Sequence, residues 1–106
     1  MTTYSLFLDD ERFPADNSTD NWVICRTFDE AVEMFKSCVP DKISFDHDLG
    51  EGKSGYDFAK WIVDYDIDNN VLNSTFSFYV HSQNPIGKNN IEGLLLGYFG
   101  ATGRYM

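Results

Sequence analysis

The chain has 106 residues, 42% of them hydrophobic and 16% aromatic, with eight Lys+Arg against seventeen Asp+Glu and a net charge of −9. That is the size of one domain, 1–106, with enough apolar side chain for a core, which excludes wholesale disorder. The acid surplus excludes binding along duplex nucleic acid through a basic face, since a polyanion is repelled, but it leaves room for a small anionic ligand held through a cation that carboxylates recruit.

In chain order, Tyr4 to Leu8 is a short apolar run ending abruptly at Asp9-Asp10, the pattern of a buried strand with acids at its carboxyl end. Glu11 to Asn21 is rich in turn formers and contains Pro14, so a loop is expected. Trp22 to Arg26 reads as a second strand, whose direction the sequence leaves open. Thr27-Phe28-Asp29-Glu30 has the form of a capping box, with Phe28, Ala31, Val32 and Phe35 at helical spacing behind it and Pro40 as the stop. Ile43 to Asp46 is a third strand, again ending in acids, Asp46-His47-Asp48. Gly50 and Gly52 mark a turn. Ser54 then caps a helix carrying Asp57 at its third position and Phe58, Trp61, Ile62 and Tyr65 on one side. Thr75 to Val80, β-branched and aromatic throughout, is the clearest strand and ends at His81-Ser82. After a turn over Gln83 to Gly87, the spacing of Ile91, Leu94, Leu95 and Tyr98 predicts a last helix.

Strands alternating with helices imply an α/β fold: a short, mainly parallel sheet of about four strands, expected as three layers with helices on both faces. In such sheets ligands gather beyond the carboxyl ends of the strands. Those ends carry Asp9, Asp10, Arg26, Asp46, His47, Asp48, His81 and Ser82, so the chemistry-bearing residues share one rim. Four clustered acids, Asp9, Asp10, Asp46 and Asp48, are the oxygen donors that Mg²⁺ or Mn²⁺ takes. Both histidines of the chain, His47 and His81, fall beside them and are candidates for proton transfer. Strand alternation turns His47 away from Asp46 and Asp48 if the strand persists that far, which makes His81 the stronger candidate. Ser82, Asn84, Gly87 and Asn89 lead into a helix start and offer donors to a phosphate. Arg26 can clamp phosphate charge. Trp22 and Trp61 are assigned to packing. Cys25 and Cys38 lie in apolar-periodic segments and are expected to be reduced core thiols.

The acid pair after the first strand and the acid after the third resemble response-regulator receiver domains, in which such acids bind Mg²⁺ and the central aspartate accepts a phosphoryl group. Asp9 and Asp10 match the pair, Asp46 the acceptor, and Ser82 the small hydroxyl residue after the fourth strand. The last βα unit of a receiver, with its lysine, has no counterpart here, and a loop replaces the first helix. A closer likeness is to the cyclic-phosphate-processing receiver domains. It is carried by Leu6-Phe7-Leu8-Asp9-Asp10-Glu11-Arg12 with Pro14, Trp22 to Thr27, and Ser44-Phe45-Asp46-His47-Asp48-Leu49-Gly50. It continues through Ser54-Gly55-Tyr56-Asp57 and Val80-His81-Ser82-Gln83-Asn84-Pro85-Ile86-Gly87, up to about Leu96. The resemblance implies a truncated receiver, or flavodoxin-like, fold. It also implies a phosphoester role on nucleotides or RNA ends bearing cyclic phosphates.

The expected activity is a metal-dependent phosphoesterase. Asp10 and Asp46 hold Mg²⁺ or Mn²⁺ with Asp9 or Asp48 in support, and His81 moves a proton, with His47 and Arg26 beside it. Ser82, Asn84, Gly87 and Asn89 bind phosphate oxygens. The alternative is a non-catalytic module that binds a cyclic nucleotide or a protein partner. No apolar run approaches the roughly 20 residues that span a bilayer. The start, MTTYSLFLDD, lacks a signal peptide's basic flank and cleavage site. The expected location is therefore cytoplasmic, in a host's cytoplasm if the chain is virus-encoded.

Overall fold

The computed structural model describes residues 4–11, 13, 21–49, 52–72, 76–82 and 84–102. Most of the expected loop before Trp22, the turn glycine Gly50, Thr75 and Gln83 lie outside them. The elements run β1 (Ser5–Leu8), β2 (Trp22–Cys25), α1 (Phe28–Ser37), β3 (Lys42–Phe45), α2 (Gly55–Asn69), β4 (Ser77–Val80) and α3 (Pro85–Thr102). All strand pairs are parallel, in the order β2-β1-β3-β4. The direction of β2, open in the sequence, is thus parallel to β1, with Leu6 opposite Val23 and Leu8 opposite Cys25.

Register explains the burial. Leu6, Ile43 and Phe78 lie in one row across the sheet, and Leu8, Phe45 and Val80 in the next row on the same face. These residues pack with Ala31 and Phe35 of α1, Phe58, Ala59 and Ile62 of α2, and Ile91, Leu95 and Phe99 of α3 in one apolar cluster. The rings meet mostly edge to face: Phe35 against Phe58, Trp61 and Tyr65, with interplanar angles of 85–90°. Each fully buried Phe, Leu or Ile contributes about 1.5–3 kcal/mol from the apolar surface it removes from water.

The α/β class and the four-stranded parallel sheet are as the sequence implies, but among the described residues the helices form one layer instead of two. The three helices share that one cluster, so they lie on the same face of the sheet rather than on both. The connectivity gives the reason. From β2 past β1 to β3, and from β3 to β4, both helical crossovers step the same way across the sheet. Right-handed crossovers stepping one way deposit their helices on one side. Among the described residues no helix lies between β1 and β2, the step that would run the other way. The opposite face carries Phe7, Ser44 and Tyr79 in one row.

Helix starts follow local chemistry. Thr27 Oγ1 accepts the N–H of Glu30, and Glu30 Oε1 reaches back one residue further than a regular capping box, to the N–H of Arg26. Ser54 and Asp57 form the full reciprocal box, with Asp57 Oδ2 accepting from Ser54 N–H at 2.7 Å. These bonds hold the Asp57 carboxyl below its ordinary range. Of the two cysteines, Cys25 is buried and Cys38 is exposed at the end of α1, which corrects the expectation of two core thiols. Burial raises the Cys25 thiol to about 11.

Candidate functional site

The site is built by continuing the sheet one residue past its strands. Asp9 N–H donates to Cys25 C=O at 3.1 Å, Asp46 N–H to Leu8 C=O at 2.9 Å, and His81 N–H to Phe45 C=O at 2.9 Å. The ladder thus sets Asp9, Arg26, Asp46 and His81 side by side at the carboxyl edge. Two residues beyond Phe7, Ser44 and Tyr79, they fall on the face that the helices leave uncovered.

The side chains confirm that placement. The His81 ring stacks on Phe7, centroids 4.6 Å apart and planes within 4°. Its Nε2 lies 2.9 Å from Asp9 Oδ2 and its Nδ1 2.6 Å from Ser44 Oγ. Asp9 is fully buried and Asp46 is 4% exposed. Asp9 Oδ1 also accepts the N–H of Glu11. Ligand atoms of Asp9, Asp46 and His81 all lie within 4.8 Å of one another. Two carboxylates that close repel by on the order of 3 kcal/mol at an effective dielectric of about 20, a cost that a cation or a shared proton offsets. The two carboxylates are the hard oxygen donors that a divalent ion such as Mg²⁺ takes. Arg26 adds positive charge: Nη1 donates to the Asp9 carbonyl at 3.2 Å while its guanidinium lies 4.7 Å from the Phe13 ring centroid.

The other sequence candidates are placed differently. Asp10 follows Asp9 on the edge and is exposed. Contrary to the alternation expected, His47 faces Asp48, its Nδ1 3.1 Å from Asp48 Oδ1, because the strand ends at Phe45 and alternation does not carry on to Asp48, which is largely exposed. Gly87 is pressed against the His47 ring, so close that a Cβ there would lie 2.3 Å from Cγ. Ser82, Asn84 and Gly87 form the cap of α3: Ser82 Oγ accepts from Asn84 N–H, and Asn84 Oδ1 from Gly87 N–H. Two of the amides expected for a phosphate are therefore already bonded within the protein. Asn89 is exposed on α3. A cavity of about 340 Å³ opens between the start of α1 and the segment after β3, lined by Thr27, Phe28, Asp29, Leu49, Gly52 and Lys53. Its lining holds none of the clustered residues.

Sequence reasoning passed over three supports of the site. Ser44 is a buried hydroxyl between Ile43 and Phe45, and a lone polar residue in an apolar strand was its signal. Phe7 looked like core but serves as the platform for His81. Gly55 lets α2 start against the end of β3, where a Cβ would fall 1.8 Å from the Asp46 carbonyl oxygen.

Among the described residues, no helix is long and apolar enough to cross a membrane. No curated protein and no solved structure matches the chain significantly. The cyclic-phosphate processing receiver domain matches residues 4–97, nearly the whole chain and every strand end just described. With its acids and His81 gathered at the edge of a parallel receiver-type sheet, the chain belongs to the family of cyclic-phosphate processing receiver domains.

Proposed function

We propose that this domain opens a cyclic phosphate on a nucleotide or an RNA end by hydrolysis. The observation that carries the reading is the convergence of Asp9, Asp46 and His81 within 4.8 Å at the sheet edge, in a chain whose family is associated with cyclic-phosphate processing. Asp9 and Asp46, with the adjoining Asp10, would hold Mg²⁺ or Mn²⁺, which supplies charge neutralisation at the phosphate and a more acidic bound water. Arg26 offsets the charge that grows on the phosphate oxygens. His81 and Asp9, joined by their hydrogen bond, form the acid–base couple nearest that edge. In the reaction a water oxygen bonds to phosphorus and one ring P–O bond breaks. The water's proton passes to the departing ribose oxygen, leaving a phosphomonoester.

The test incubates the protein with 2′,3′-cyclic and 3′,5′-cyclic nucleotides, with and without Mg²⁺ or Mn²⁺, and follows the products by ³¹P NMR. Metal-dependent ring opening is expected, falling at least about a hundredfold in Asp46→Asn, the scale of losing a charged transition-state partner. Metal uptake with every cyclic nucleotide recovered intact overturns catalysis.

One observation favours a second reading, capture of a cyclic nucleotide without cleavage: both ring nitrogens of His81 are already engaged inside the protein. Calorimetry separates the two, because a binding module gives heat of association and returns its ligand unchanged.

A further inference from the structure

We propose that Ser44 is a positioning residue that fixes His81 in the tautomer with its proton on Nε2. This rests on the reading of the Asp9–Asp46–His81 cluster as the working site and assigns a role to a residue behind it. Ser44 sits in mid-strand, fully buried between Ile43 and Phe45, which are fully buried too. A hydroxyl taken out of water costs about 1–3 kcal/mol unless it is hydrogen-bonded. Its oxygen lies 2.6 Å from His81 Nδ1.

The direction of the chain of bonds follows from what each group is able to donate. With Asp9 ionised its carboxylate accepts only, and the Oδ2 contact at 2.9 Å then takes the ring proton on Nε2. In the neutral ring Nδ1 is then an acceptor, and the hydrogen between it and Ser44 belongs to the serine. Ser44 donates to His81, and His81 donates to Asp9. The Phe7 stack fixes the ring plane, leaving a half-turn of the ring as the remaining freedom. That half-turn would cost the Ser44 bond. Asp9, held by His81 at one oxygen and by Glu11 N–H at the other, is thereby locked in orientation beside Asp46. Groups behind a site act this way on the residues in front, and removing one typically costs about 10- to 100-fold in function.

The experiment reads the tautomer directly. Histidine-¹⁵N-labelled full-length protein, without added metal and at one pH near 8, is compared by long-range ¹H–¹⁵N correlation for the native chain, Ser44→Ala and Ser44→Thr. The native chain should show His81 with a bare Nδ1 and a protonated Nε2. Ser44→Ala should show mixed or exchange-broadened nitrogens, and Ser44→Thr, which keeps a hydroxyl, should return toward the native pattern. Thermal melts establish that each variant is folded, and Ser44→Cys stands in if Ser44→Thr does not fold. A proton on Nδ1 in the native chain, or an unchanged His81 spectrum in folded Ser44→Ala, overturns the proposal. Where cyclic phosphate is turned over, Ser44→Ala should lower kcat about tenfold with KM nearly unchanged. The spectra decide the tautomer without any turnover, so an inactive protein would count against the proposed function and not against this role.

Discussion

Two buried aspartates, at opposite ends of the molecule, show what separates a structural carboxylate from a candidate reacting one. Asp66, in the last turn of α2, is 1% exposed. Its Oδ1 accepts the N–H groups of Val71 and Leu72, both at 2.8 Å, and its Oδ2 accepts the Tyr98 hydroxyl at 2.6 Å. An acid at a helix C-terminus opposes the helix dipole, but three donors outweigh that and tie α2, the chain after it and α3 together. Asp9 is as deeply buried, yet a second carboxylate and an imidazole lie within 4.8 Å of it. Burial alone therefore says little. A buried anion ringed by donors is a lock, whereas two anions sharing an edge hold charge that a cation or a proton is able to use.

Substitution breaks or sharpens this contrast. Asp66→Ala strands two backbone N–H groups and a phenol, and should cost about 3 kcal/mol or more in urea unfolding at pH 7. Asp46→Asn removes one of two neighbouring like charges, so the metal-free protein should lose no stability and gain up to about 3 kcal/mol. Equal losses in the two variants would erase the distinction.

Two glycines make the next test. Gly55→Ala drives a Cβ into the Asp46 carbonyl, whereas at Gly93, within α3, nothing lies within 4 Å. The first change should cost about 1–3 kcal/mol and disturb the site. The second should gain about 0.5–1 kcal/mol by restricting the unfolded chain. A neutral Gly55→Ala in a thermal melt would contradict the close approach of α2 to β3.

The smallest effect is at the cap of α2. The folded-state value of Asp57 is lowered, chiefly by the Ser54 N–H bond. Its contribution is therefore present above the unfolded value of about 3.9 and is lost as pH falls through the folded value. Asp57→Ala should cost about 1 kcal/mol at pH 7, and that penalty should shrink below about pH 4. A penalty constant down to pH 2 would show that the carboxylate's charge plays no part.

Much of the fold was legible because it is written locally. The caps at Thr27 and Ser54, the apolar runs, and the helical stripe through Phe58 and Ile62 each follow from near neighbours in the chain. The strand ends were legible too, since an apolar run that stops at Asp9 or Asp46 announces its own edge. Less visible were the cap formed by Ser82, Asn84 and Gly87, which uses amides that the sequence offered to a phosphate, and the turning of His47 toward Asp48 and Gly87. Those outcomes depend on where α3 lands, which its own residues do not reveal.

The sequence by itself determined that short buried strands alternate with capped helices, and that acids and histidines end those strands. It did so because propensity, capping and periodicity act over a few residues. Only the tertiary structure decided that the helices share one face, that His81 lies flat on Phe7 between Ser44 and Asp9, and that Asp66 is a lock. Each of these joins residues from 32 to 74 positions apart, and strand order and crossover hand, not local preference, bring such residues together.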